Sequence, residues 1–280
     1  MIPAAFDYES PESLEQAVRM LHENGEDAKL IAGGHSLLPL MKLRLAAPTL
    51  LVDLRKIPGL HGIQRENGTW RIGTLTRHAD LQDAPELGVA SVAAGLIADQ
   101  QVRNRGTIGG SLAHGDPASD LPGVLLAAEG SVQVQGPNGQ RSIGAADLFE
   151  DYLTTSIADD EIVTSVTIPS MDGYGYAYEK FNRRAEDWAM VAVAVWVKNE
   201  GGTVSDVRIG LGNMGSTPLR ATAVEDALRG QPANADSIAK AAELAADGTE
   251  PPGDLNASPD YKRHLARVLT RRALTKAAAA

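Results

Sequence analysis

Lys29-Leu30-Ile31-Ala32-Gly33-Gly34-His35-Ser36 reads as a short apolar strand running directly into small residues. Small residues at a strand end leave main-chain N–H groups uncovered, and glycine permits the positive φ that gathers several of them around one point. Such a turn can wrap an anion without a basic side chain, and no Lys or Arg occurs from Ile31 to Met41. Leu37 to Leu45 reads as a helical piece whose N-terminus adds a partial positive charge, and Ser36 can donate a hydroxyl. The pattern is neither GxGxxG nor a P-loop, so neither of those mechanisms applies directly. An ordinary left-handed turn between strand and helix explains the same residues, and on this stretch alone both readings stay open.

A second stretch, Thr107-Ile108-Gly109-Gly110-Ser111-Leu112-Ala113-His114-Gly115-Asp116-Pro117, follows about seventy residues later and is read the same way, as a Gly-rich turn. Two such turns imply one extended, doubly phosphorylated ligand held from both sides. A helix end contributes only about 0.3–1 kcal/mol at a surface, or about 2 when partly buried. Nanomolar binding needs about 12 kcal/mol. Several main-chain bonds and burial of the ligand's rings must therefore supply most of the affinity.

The chain has 280 residues, 43% of them hydrophobic, enough for two domains or one domain with an appendage. Twenty-six basic against thirty-six acidic residues give a net charge of −10, which argues against a general nucleic-acid surface. There is no cysteine, so this chain holds no disulfide, thiolate nucleophile or cysteine-ligated iron–sulfur cluster. No secretory signal is visible at Met1 to Glu15, and the longest apolar run, Met190 to Val197, is far below the ~20 residues that span a bilayer. A cytoplasmic protein is expected.

Around the opening stretch the pattern is a small α/β unit: a helix at Ser13 to Asn24 ended by Gly25, the strand, the turn, the helical piece, and a strand at Leu50 to Asp53. Hairpins follow. Asn67-Gly68 and Pro137-Asn138 mark turns, with helices between them at Gly88 to Ala98 and near Leu121 to Ala128, and a strand at Glu161 to Ile168. A boundary is expected in Ser170 to Gly175. Beyond it lie strands at Ala177 to Phe181, Met190 to Lys198 and Val204 to Gly210, then helices around Ala221 to Leu228, Ser237 to Ala246 and Asp260 to Thr275. The fold class is α+β.

Few side chains stand out for chemistry. Asp120 suits a helix N-cap and can equally accept from ligand hydroxyls. His35 and His114 sit among glycines, where a solvated loop role is the simpler reading. The six histidines show no HxH or HExxH spacing, so no metal site is expected, and no GxSxG elbow is present. Trp188, in the polar run Arg183 to Trp188, suits either a stacking surface for a flat ring or the rim of the core. On the last helix Tyr261, Leu265, Val268 and Leu269 share a face, with Lys262 and the arginines expected mostly elsewhere.

Taken together, Ala32 to Lys42 and Thr107 to Pro117 resemble the two FAD-binding signatures of the medium subunit of molybdenum hydroxylases, the xanthine dehydrogenase family. The nearest likeness is to the carbon monoxide dehydrogenase type. The likeness extends over nearly the whole chain. It implies a vanillyl-alcohol-oxidase-type (PCMH) FAD-binding fold in two α+β subdomains, 1–55 and 56–172, followed by a flavoprotein C-terminal domain, 173–280, with a small antiparallel sheet and helices. It further implies that Leu30, Ile31, Ala32, Gly33, Gly34, His35, Ser36 and Leu37 surround the pyrophosphate of a noncovalent FAD. Thr107, Gly109, Gly110 and Ser111 would meet the phosphates and ribityl chain, with His114 and Asp116 in the same signature. Asp120 would accept from FAD hydroxyls, Ile97, Val163 and Lys180 would line the adenine or flavin ends, and Trp188 would stand where relatives often place Tyr against the isoalloxazine.

The resemblance assigns no catalytic residue and no metal to this chain. It implies a small subunit with [2Fe-2S] clusters, a large subunit with the molybdenum cofactor, and a dimer of heterotrimers, a heterohexamer. Electrons would leave through FAD to an external acceptor, with a quinone, a carrier and oxygen all open. Association with the inner face of the membrane through partners would follow. Three alternatives remain open at this stage. One is a self-contained flavin oxidase or reductase of the same superfamily, another a flavin-free scaffold, and the third the flavin subunit of a nicotine, purine or aldehyde hydroxylase.

Overall fold

The computed structural model describes residues 2–279. The N-terminal unit contains β1 (Asp7–Glu9), α1 (Leu14–Asn24), β2 (Ala28–Ile31), α2 (Leu37–Leu43) and β3 (Leu50–Asp53). Its sheet has the order β1-β3-β2 and is parallel throughout. Helix α1 forms where expected: Ser13 Oγ accepts from Gln16 N–H, Ala17, Val18 and Leu21 are buried on one face, and Gly25 ends it at φ 51°. The sequence reading missed β1, because its residues are exposed and carry no alternation. Parallel pairing with β3 makes the strand, not its own pattern.

Next come β4 (Ile63–Glu66), β5 (Thr69–Gly73), α3 (His78–Gln82), α4 (Val89–Gly95), α5 (Gln100–Arg103), α6 (Ile108–His114) and α7 (Asp120–Ala127). They are followed by β6 (Ser131–Gly136), β7 (Gly139–Gly144), α8 (Ala145–Leu148), β8 (Phe149–Asp151), β9 (Thr154–Thr155) and β10 (Ile162–Pro169). The main sheet is antiparallel in the order β4-β5-β10-β6-β7. Asn67 and Gly68, at φ 49° and 78°, supply the two left-handed residues that a tight β4–β5 hairpin needs.

Two expectations are corrected here. The second Gly-rich stretch is not a turn. It is helix α6, with Thr107 as N-cap, and the glycines are tolerated because α6 must lie close: a Cβ on Gly109 would come within 2.8 Å of Thr74 Cβ. Nor does Asp120 cap α7. Ser119 holds the N-cap position without a side-chain capping bond, and Asp120 is the first helical residue.

The last part contains β11 (Gly175–Phe181), β12 (Val191–Glu200), β13 (Thr203–Gly212), β14 (Leu219–Arg220), α9 (Thr222–Leu228), α10 (Ala235–Ala242) and α11 (Pro259–Ala279). Strands β11 to β14 form one antiparallel sheet in sequence order. The apolar run of β12 has a clear cause. Ala192, Ala194 and Trp196 point into the core built with α4 and α7, while Val191, Val193, Val195 and Val197 point into the core under α11. A strand buried on both faces carries no polar alternation. Helix α7 meets β13 backbone to backbone, since a Cβ on Gly210 would overlap the Gly123 carbonyl. Arg208 and Arg220 both reach Glu129, at 3.0 and 3.1 Å, beside this contact. Lys262 departs from the expected solvated face. It is fully buried and paired with Asp254 at 2.7 Å.

Candidate functional site

A cleft of about 830 Å³ runs between the N-terminal unit, helices α5 to α7 and the turn between β11 and β12. Strand β2 aims at it and stops at Ile31. From Ala32 to Leu37 no main-chain N–H donates to an acceptor among the described residues, and the first bond of the next helix is Leu38 N–H to Gly34 O. Ser36 makes no capping bond, so its hydroxyl is free as well. Gly33 must be glycine for contact reasons: a Cβ there would overlap the Arg105 carbonyl and lie 2.8 Å from Gly106 Cα. Gly34 must be glycine for its φ of 77°. Six consecutive free donors in one turn form an anion cradle with no basic side chain in it.

The opposite wall works differently from the sequence reading. The N–H groups of Ile108 and Gly109 donate to Thr76 O and Thr74 O, and those of Gly110 and Ser111 donate to Thr107 Oγ1 and Thr107 O. These amides are already engaged, so α6 offers hydroxyls and close approach rather than bare amides. Ser111 Oγ lies 2.9 Å from Ser119 Oγ on this wall.

Asp120, Lys180 and Tyr178 form a buried group at the cleft. Tyr178 O–H donates to Asp120 Oδ1 at 2.6 Å, and Lys180 Nζ donates to Asp120 Oδ2 at 2.9 Å and to Leu96 O at 3.0 Å. Burial pushes the Asp120 carboxyl above its ordinary range, against the pull of Lys180 and the Tyr178 hydroxyl. The same burial, with Asp120 beside it, pushes the Tyr178 hydroxyl well up. Tyr178 escaped the sequence reading, although the two-residue period of β11 places it on the face of Lys180.

Leu30 to Leu37, Ile97, Thr107, Gly109, Gly110, Ser111, His114, Asp120, Val163, Lys180 and Trp188 all line the one cleft. Val163 sits where the β10–β6 register shifts, which turns the strand there. Trp188 is 55% exposed and belongs to no core, so its indole stands at the cleft rim. His35 is exposed with Nδ1 3.0 Å from Gly33 O, and His114 is half-buried in the last turn of α6. Asp116 is the exception. It follows the left-handed Gly115, accepts from Ala118 N–H at 2.8 Å, and faces a neighbouring cleft instead. Thr74, His78, Ser119 and the hairpin residues Leu153 to Thr155 also line the cleft and were not anticipated. All but Ser119, which lies just past the second stretch, are separated in sequence from both glycine stretches.

Burial, with His35 and Arg103 adding repulsion, lowers the His78 imidazole from 6.5 to about 4. The folded chain therefore resists a proton that the unfolded chain accepts. Stability from this source is complete above pH 6.5 and falls as pH drops from 6.5 towards 4, by about 3 kcal/mol in all. Urea midpoints of flavin-free protein at pH 7.5 and 4.5 check this: His78→Gln should shrink the acid loss. An unchanged loss would place its source elsewhere.

Residues 4–171 match the family described as FAD binding domain in molybdopterin dehydrogenase, and residues 176–277 match the CO dehydrogenase flavoprotein C-terminal domain. The carbon monoxide dehydrogenase medium chain of Hydrogenophaga pseudoflava is 42% identical over 282 residues, covering 99% of this chain and 98% of that one. The 6-hydroxypseudooxynicotine dehydrogenase complex subunit alpha of Paenarthrobacter nicotinovorans is 40% identical, covering 99% and 96%. Among solved structures, carbon monoxide dehydrogenase from Hydrogenophaga pseudoflava lacking the Mo-pyranopterin moiety of its cofactor superposes with a TM-score of 0.97 at 44% identity, covering 100% and 99%. Sheet order, cleft and full-length likeness agree, and the chain belongs to the family of FAD-binding medium subunits of molybdopterin dehydrogenases, with the CO dehydrogenase-type flavoprotein C-terminal domain.

Proposed function

We propose that this chain is the flavin-carrying electron-transfer subunit of a heteromeric molybdenum hydroxylase, with one noncovalent FAD in the cleft. The run of free N–H groups from Ala32 to Leu37 carries the reading, because a diphosphate is the group that such a cradle suits. Bound FAD supplies the exchange between one-electron and two-electron chemistry that an iron–sulfur donor and a two-electron acceptor require. The chain's own residues do the holding. Gly33 and Gly34 let the backbone close on the phosphates, Ser36, Thr107 and Ser111 offer hydroxyls, and Asp120 faces ligand hydroxyls. Ile97, Val163 and Trp188 shield the rings from water, and Lys180 keeps a positive charge at the wall. None of these groups breaks a substrate bond. A division into 1–55, 56–172 and 173–280 would give each of the three larger sheets its own unit, with the two-stranded β8-β9 sheet in the second.

Substrate oxidation then falls to a large molybdenum-cofactor subunit, and electrons reach this chain through a small [2Fe-2S] subunit in a dimer of heterotrimers. Carbon monoxide is the substrate we favour, on the likeness at 42% identity. A relative named for 6-hydroxypseudooxynicotine stands at 40%. So near a tie leaves the partner's sequence to decide, since that is where substrate would bind. We place the assembly in the cytoplasm, at the inner membrane face, delivering to a quinone. Protein purified from its host should release one FAD per chain on acid treatment, identified by chromatography. Release of FMN, or of no flavin, would defeat this reading.

A further inference from the structure

His78 is the one buried titratable group on the cleft wall that the reading above leaves without a task. Its main-chain N–H donates to Gly106 O at 3.0 Å, and its ring lies against Gly106, where a Cβ would come within 2.7 Å of Cδ2 and 2.9 Å of Nε2. Gly106 and the Arg105 carbonyl in turn touch Gly33, in the run of free amides. The ring therefore lies behind the junction where the two walls of the cleft meet. The side chain is 4% exposed and still lines the cleft.

The two ring nitrogens are unequal. Nδ1 is sealed from solvent without a partner among the described residues, whereas Nε2 is not sealed off and makes no hydrogen bond among them. Burial keeps the ring neutral at pH 7, so it carries one proton. Nδ1 has no acceptor to give that proton to, which settles it on Nε2. The basic groups acting on the ring are His35, from the turn after β2, and Arg103, from α5. Arg103 is tied to the carbonyls of Ile97 and Ala98. On its own element, Arg77 N–H donates to the Asp80 carboxylate. A neutral N–H donor among basic neighbours is complementary to an anionic oxygen.

We propose that His78 Nε2–H donates directly to the diphosphate of the dinucleotide, a role that rests on the FAD reading above. His78 thereby supplies from the far wall a side-chain donor that the engaged amides of α6 do not. The test is FAD titration of the full chain, purified in the assembly it forms, stripped of flavin and reloaded, with flavin fluorescence as readout and ADP as competitor. His78→Leu should weaken FAD and ADP alike by about 10- to 100-fold. His78→Gln, which keeps an N–H at a similar reach, should stay within a few-fold of the wild type. Equal affinity in wild type and His78→Leu overturns the proposal and leaves the flavin reading standing. Equal losses in the Leu and Gln variants also overturn it, because packing rather than the N–H would then be responsible. Failure of the wild type to take up FAD would remove the flavin reading itself.

Discussion

Gly33→Ala is expected to lose its flavin, retaining less than about a tenth of the wild-type content. The new methyl would overlap the Arg105 carbonyl and crowd Gly106 Cα, both of which are main chain and cannot rotate away. Relief requires the β2 turn to move off the 105–106 segment, at a strain cost of about 1–3 kcal/mol if the fold holds. Movement of that size spreads the amides of Ala32 to Leu37, and a cradle of convergent donors is sensitive to spacing. Gly34→Ala provides the graded comparison. Its Cβ meets the flexible end of Leu38 at 2.9 Å, and the penalty for φ 77° is about 1–2 kcal/mol, so partial loading should survive. The flavin-to-protein absorbance ratio of each purified variant, with circular dichroism to confirm folding, separates the cases. Full flavin in folded Gly33→Ala would show that the diphosphate lies elsewhere.

The second large effect concerns Lys180. Its side chain is buried with Asp120, and Lys180→Met leaves the carboxylate with Tyr178 as its sole hydrogen-bond donor among the described side chains. Removing one member of a buried pair costs about 3–5 kcal/mol. Urea unfolding of flavin-free Lys180→Met should show that loss at pH 7, and Asp120→Asn combined with Lys180→Met should recover much of it. The pH dependence has a defined sign. The folded Asp120 carboxyl already sits above its ordinary value, and loss of the Lys180 charge raises it further. An acid with a raised folded value contributes stability at low pH that disappears as pH rises through that value. The deficit of Lys180→Met should accordingly narrow as the pH falls towards 4. A loss below about 1 kcal/mol would mean that the pair is solvated in solution.

Much of this was legible in the amino-acid order, and what was not has identifiable causes. The strand–glycine–helix stretch at 29–43 was readable because so many small residues, with no Lys or Arg from Ile31 to Met41, have few structural uses. The second stretch lines the cleft, but as a helix and not as the turn that its glycines suggested. Glycine usually breaks a helix, and nothing in residues 107–114 tells that Thr74 demands close approach. Asp120 looked like a cap because the residue that engages it, Tyr178, lies 58 positions away. Lys262 looked solvated for a different reason: its partner Asp254 is near in sequence but lies in a loop whose path the helical pattern does not give. Asp116 shares its neighbours' composition, but the left-handed Gly115 turns the chain away from the cleft. Regular elements were legible from local patterns, whereas tertiary contacts and the path of irregular loops were not.

Strand β12 faces two cores at once, with alanines and Trp196 on one side and valines on the other. Neither core can dissolve without stripping one face of that strand, so heat should melt these two cores in a single calorimetric step. A fragment ended near residue 172 would leave α4 and α7 bare and aggregate rather than persist as a smaller flavoprotein. The junction that reads as a boundary in the sequence should behave thermodynamically as a weld.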